Sequence, residues 1–136
     1  MNSKFTKKLK AFTLNELLVV LIIIGVLVLL ALPSLLPLIT KAKTTEAKLQ
    51  LNHVQTLEES YFYEYSKYSD NLELIGFEQQ KLVSENGNAN YLIEIVEASE
   101  SSFTARATSQ VDFDKDGIFN VWEINQDKEL KEVVKD

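Results

Sequence analysis

The chain has 136 residues, is 46% hydrophobic and 25% charged, and carries a net charge of −6 with no cysteine. The missing cysteine excludes disulfides, thiol catalysis, thiolate zinc sites and a lipid-modified cysteine anchor. The length suits one small domain with one anchor. The charge is split: Lys4, Lys7, Lys8 and Lys10 come first, whereas residue 41 onward holds 10 basic and 19 acidic residues, a net of −9. Phosphate binding needs clustered Lys and Arg, so no direct nucleic-acid partner is expected.

Residues 17–39 form a run of 23 without a charge. At about 1.5 Å per residue this helix can cross a hydrocarbon core roughly 30 Å thick. The lysines ahead of it predict an N-terminus in the cytoplasm and the remainder outside. Lys41 and Lys43 weaken that asymmetry without reversing it. A cleaved secretory signal has a shorter apolar region ending in small residues. The run ends in Leu36-Pro37-Leu38-Ile39, which is no such site. A plain signal anchor fits the run but leaves its first residues unexplained.

Those residues are Ala11-Phe12-Thr13-Leu14-Asn15-Glu16. A carboxylate at the mouth of a membrane span costs a few kcal/mol when unpaired. Thr13 and Glu16 have the capping-box spacing, and an acid suits the positive end of the helix dipole. A basic leader, a small residue, Phe-Thr-Leu-x-Glu and a long aliphatic run with Gly25 and Pro33 together resemble the type IV pilin family. That family includes the type II secretion pseudopilins, and the chain looks most like a major pseudopilin. The resemblance spans roughly residues 7–65. It departs from the pattern at Ala11, where the family usually has glycine, and at Asn15, which is often apolar or threonine there.

The resemblance implies that a prepilin peptidase cuts between Ala11 and Phe12. Phe12 then becomes an N-methylated terminus, and Glu16 pairs with the Phe12 ammonium of a neighbouring subunit. Gly25 and Pro33 would soften the helix. The expected protein is a single-pass inner-membrane subunit that polymerises helically with itself. Its further partners would be minor pilins or pseudopilins and the inner-membrane assembly platform. A carboxylate in an apolar bundle is tolerated mainly when paired, which agrees with the role of Glu16.

Pro33 and Pro37 each remove a helix hydrogen bond, which predicts a kink or a segment that melts on assembly. Beyond residue 41, Ala47, Leu51, Val54, Leu57, Tyr61, Tyr65 and Tyr68 recur at helical spacing. One nearly continuous helix from about Thr13 to Ser66 is expected, its outer half covered by a small antiparallel sheet, an α+β fold. The expected organisation is a leader at 1–11, a membrane helix and filament core at 12–40, and an extracytoplasmic head at 41–136. Within the head, a helix over 41–68 precedes a sheet and C-terminal loop over 69–136. His53 lies off the apolar stripe without nucleophilic partners, so it reads as a surface residue and no enzyme is expected.

In the head, residues 91–97 and 103–108 predict two strands joined by the polar run 98–102. Residues 118–124 predict a third strand, and 130–134 a short edge strand or frayed tail. Asp112-Phe113-Asp114-Lys115-Asp116-Gly117, followed by Glu123, fits the twelve-residue calcium-loop pattern. Asp112, Asp114, Asp116, the Ile118 carbonyl and Glu123 are the expected ligands, with Asn120 acting directly or through water. All-oxygen donors favour Ca²⁺ over Zn²⁺. The simpler reading is an acidic turn on Lys115-Asp116-Gly117. The functional expectation is a type II secretion pseudopilus subunit. The alternatives are a surface type IV pilin or a signal-anchored binding protein outside any filament.

Overall fold

A computed structural model describes residues 10–136. The leader lysines Lys4, Lys7 and Lys8 lie outside the described residues. The chain divides into two compact units, Met1–Leu38 and Ile39–Asp136. Helix α1 runs from Leu14 to Tyr65, 52 residues.

Thr13 caps α1 in the manner the spacing predicts. The Thr13 backbone N–H donates to Glu16 Oε2 at 3.0 Å, and the Glu16 N–H donates to Thr13 Oγ1 at 3.3 Å. The helical assignment continues through both prolines. Ser34 lies beside Pro33 and donates its hydroxyl to the Ala31 carbonyl at 2.8 Å. The apolar side chains of this first unit are exposed on all sides of the helix. A helix that is apolar all round belongs in lipid or in a bundle. Its length and composition are sufficient to cross a membrane.

From Ile39 onward α1 has one buried face. Ala47, Leu51 and Val54 are completely covered, and Gln55 and Glu58 lie on the same side. Leu57 and Tyr61 pack against this core from its edge. Tyr65 departs from the expected stripe: it is 58% exposed. At 3.6 residues per turn Tyr65 lies in line with the buried Ala47, so its exposure reflects its place as the last residue of α1, past the end of the packed face. Ser66 then ends the helix at φ 56°, a left-handed cap made without glycine.

Residues 66–90 fold back along the helix and bury Ile75, Phe77, Leu82 and Ala89. A single 3₁₀ turn, Val83–Glu85, lies within this stretch. At Gly87 a Cβ would stand 1.9 Å from the Lys81 carbonyl oxygen, so only glycine fits there.

Four antiparallel strands follow in the order β1-β2-β3-β4. They are β1 Tyr91–Ala98, β2 Phe103–Ser109, β3 Val121–Asn125 and β4 Leu130–Val134. β2 alternates cleanly, burying Phe103, Ala105, Ala107 and Ser109 against the helix. Small residues on the sheet (Ala105, Ala107) and on the helix (Ala47) belong to one core cluster. A bulge between Ile95 and Glu97 leaves Val96 exposed. The fold is therefore the expected α+β arrangement, a long helix packed against a small antiparallel sheet.

Candidate assembly and metal-binding sites

Among the expected processing and assembly residues, Ala11, Phe12 and Glu16 are all exposed. Phe12 is 80% exposed and Leu14 83%. Glu16 lies in the first turn of α1, and among the described residues only the local cap holds it, through Oε2. Gly25 has open space where a side chain would stand. Close packing within the subunit therefore does not require glycine at that position.

In the acidic loop, residues 110–120 connect β2 to β3. Asp112 accepts from the N–H groups of Lys115 at 2.6 Å and Gly117 at 2.8 Å. Asp116 accepts from the Ile118 N–H at 2.7 Å, and Asp114 from the Asp116 N–H at 3.1 Å. Lys115 and Gly117 take φ of 65° and 89°, which closes the loop tightly. The result gathers Asp112, Asp114 and Asp116 together with Asp136, each offering a carboxylate oxygen within 4.8 Å of the others.

Asp136 is the member that the local pattern misses. It lies past β4 and reaches back to accept from the N–H groups of Phe113 at 2.8 Å and Asp114 at 3.3 Å. A separation of 20 residues from Asp116 carries no local spacing signal. Antiparallel pairing of β3 with β4 is what returns the tail to the loop. Desolvation, followed by the neighbouring charges of Asp116 and Asp136, pushes the Asp114 carboxyl above the usual carboxylate range. A bound cation would reverse that pressure.

Glu123, by contrast, is not brought to this cluster. Position 123 points to the outer face of β3. There its Oε1 takes the Arg106 Nη2 at 2.6 Å and Nε at 2.7 Å. The twelve-residue pattern places a ligand at 123 only if a helix follows the loop, and here a strand follows. Asn120 is also diverted. It is completely buried, accepts from the Tyr91 hydroxyl at 2.8 Å, and donates to Glu132 Oε1 at 2.7 Å and the Val134 carbonyl at 3.0 Å. It ties β1 to β4 across the end of the sheet. Burial pushes the Tyr91 hydroxyl well above its ordinary value, so it stays a neutral donor.

Two further carboxylates escape sequence reading because their partners are distant in the chain. Glu46 accepts from the Asn90 N–H and side-chain amide, both at 2.8 Å, which fastens α1 to the entry of β1. Glu58 is completely buried, accepts from the Ser69 N–H at 3.0 Å, and leaves Oε1 without a hydrogen-bond partner. Desolvation raises its pKa, with the Asp70 charge adding to the effect. His53 is exposed and stands 5.9 Å from the Phe77 ring, in keeping with a surface role.

A long apolar helix with a buried outer face, a short antiparallel sheet and a capped Glu16 define a pilin-type subunit. Residues 33–117 match the family model described as "Type IV minor pilin ComP, DNA uptake sequence receptor", and the chain belongs to the type IV pilin family. It is also 37% identical over 79 residues to "Type IV major pilin protein PilA" of Myxococcus xanthus (strain DK1622). That alignment covers 58% of this chain and 36% of the relative, so the chain spans about a third of the length of that protein. Pilins are structural subunits, not enzymes. The expectation of a type II pseudopilin in particular receives no support from these matches, which are both to type IV pilins.

Proposed function

We propose that the chain is a subunit of a surface type IV pilus. The observation that carries this reading is the family match over residues 33–117, together with the likeness to a major pilin. Prepilin peptidase would remove residues 1–11 by cutting between Ala11 and Phe12, and Phe12 would be methylated. Glu16 would exchange its intrahelical cap for the Phe12 ammonium of a neighbour. A carboxylate in an apolar bundle is stabilised when paired with an opposite charge, and this pairing would set the axial register between subunits. Gly25, Pro33 and Pro37 would let the helix loosen as subunits pack, since each lowers local helix stability. The minor pilins and the inner-membrane platform are its proposed partners, and the cytoplasmic membrane is its proposed store before assembly.

The matched family's description concerns a DNA uptake receptor. A head with 10 basic and 19 acidic residues supports a structural role rather than direct DNA contact. Deleting the gene and examining the cells by electron microscopy tests the reading. Loss of surface fibres is expected. Intact fibres with lost protein secretion would return the pseudopilus.

We further propose that the aspartate loop binds Ca²⁺ through Asp112, Asp114 and Asp116, with Asp136 replacing Glu123 as the distant carboxylate. The Ile118 carbonyl remains the proposed backbone donor. Oxygen ligands lie 2.3–2.6 Å from Ca²⁺, so opposite ligands are up to roughly 5 Å apart. Carboxylates within 4.8 Å of one another suit that diameter, and Mg²⁺, with shorter bonds, suits it less. The metal would offset the repulsion of clustered aspartates and fix the C-terminal tail to the loop.

A further inference from the structure

We propose that Asn86–Gly87 is a self-modifying site, at which an opened head converts Asn86 to isoaspartate and can no longer close. The fold-back segment 66–90 carries the one Asn-Gly pair of the chain. Glycine has no side chain to shield its backbone nitrogen, so this nitrogen can attack the side-chain carbonyl carbon of the asparagine before it. A bond forms from Gly87 N to Asn86 Cγ, the bond from Cγ to the side-chain nitrogen breaks, and ammonia leaves with the amide proton. Water then opens the cyclic imide. Attack at the main-chain carbonyl leaves isoaspartate, with the chain running through the former side chain, and attack at Cγ leaves aspartate. Asparagine and water become isoaspartate or aspartate and ammonia. Asn86 is exposed, so water and ammonia have free passage.

The fold holds this reaction off. Asn86 follows the 3₁₀ turn Val83–Glu85 at φ 62° and ψ 29°, in the left-handed region. That conformation brings the residue's own carbonyl oxygen to the side of Cβ and turns the next nitrogen away from it. The Gly87 N–H donates to the Leu82 carbonyl at 2.8 Å, which keeps on the nitrogen the proton that attack requires it to lose. The Val83 N–H donates to the Ala89 carbonyl at 2.9 Å, and the Ala89 N–H to the Lys81 carbonyl at 3.1 Å. Leu82 and Ala89, at the two ends of the turn, are buried. Ring closure has to swing the Gly87 nitrogen onto Cγ, and that rotation breaks its bond to Leu82. The reaction therefore runs from the opened turn, at a rate scaled by the opening equilibrium.

The turn has no room for the product. A Cβ on Gly87 would stand 1.9 Å from the Lys81 carbonyl oxygen and 2.3 Å from its carbon, so the two backbones already touch. Isoaspartate lengthens the main chain by a carbon at position 86 and adds a carboxylate beside it. The Gly87 and Ala89 N–H groups then miss the Leu82 and Lys81 carbonyls. A head that has opened is marked permanently, and a head that stays closed keeps its asparagine. Asp116–Gly117 offers the same nitrogen, but an ionised carboxylate is a poor electrophile, so in the opened chain it reacts more slowly.

The full chain in detergent micelles is held in mildly alkaline buffer, with and without concentrated urea, and Asn86 is followed by peptide mass spectrometry. In urea, isoaspartate should replace Asn86 as the main product. In native buffer the loss of Asn86 should be about tenfold slower or more, because the closed turn is inert. Equal rates overturn control by the fold, and absence of isoaspartate in urea overturns the chemistry. Isoaspartate chains, isolated and returned to native buffer, are then compared with an Asn86→Asp variant taken through urea in the same way, which has the added charge without the added carbon. Trypsin should cut after Lys81 faster in the isoaspartate chains. Equal cutting overturns the failure to close.

Discussion

At the scale of single residues, carboxylates decide the behaviour of this subunit, each by its surroundings. Glu16 is exposed and capped, and the proposed pairing makes Glu16→Ala fold as a monomer yet fail to appear in sheared fibres. Asp114→Ala and Asp136→Asn should each abolish or sharply reduce the calcium-induced rise in Tm. Glu123→Gln should keep that rise, because Glu123 is bound to Arg106 and not to the loop. Differential scanning fluorimetry with and without chelator separates these outcomes. Glu58 has a raised pKa in the fold, so folding favours its protonated form. Its contribution is full below pH 4.5 and lost as pH rises through the raised value. A Glu58→Gln variant should therefore gain on the wild type as pH is raised from 4.5 towards neutrality, measured by denaturant unfolding.

At the scale of elements, the end of the sheet depends on Asn120. The three hydrogen bonds of its side chain join β1 to β4 from a position just ahead of β3. Asn120→Ala strands the Tyr91 hydroxyl in a buried position, and leaving a buried polar group unpaired costs about 1–3 kcal/mol. The expected result is a lower Tm together with faster proteolysis of β4, which is an edge strand. The β1–β2 hairpin was legible in the apolar run of residues 91–97 and the alternation of residues 103–108, because a half-buried strand imposes a period of two on its side chains. The tail, ambiguous in the sequence, is strand β4, and its outward face explains the ambiguity: few of its residues are buried.

At the scale of the whole molecule, the chain is two regions with opposite surfaces, one apolar all round and one mostly polar. An all-round apolar helix is unstable in water and stable in lipid, whereas the head carries its own core of helix, fold-back and sheet. Intact mass of membrane-extracted protein should show loss of residues 1–11. Retention of that leader would sink the filament reading. Within the head, Gly87→Ala should lower the Tm, because the added methyl meets backbone that cannot move aside. Its anchor should be unaffected, which membrane fractionation would show.

The amino-acid sequence by itself determined the long apolar helix, its capped start, strands β1 and β2 and the three clustered aspartates. All of these are local: helical and strand periodicity, capping and loop ligand spacing are written within a dozen residues. The third strand, expected at 118–124, is β3 at Val121–Asn125, because Ile118, Phe119 and Asn120 belong to the loop. Only the tertiary structure decided which distant groups meet. It brought Asp136 to the loop and turned Glu123 away to Arg106, because the loop is followed by a strand rather than a helix. It buried Glu58 and Asn120 by packing elements against them from far along the chain.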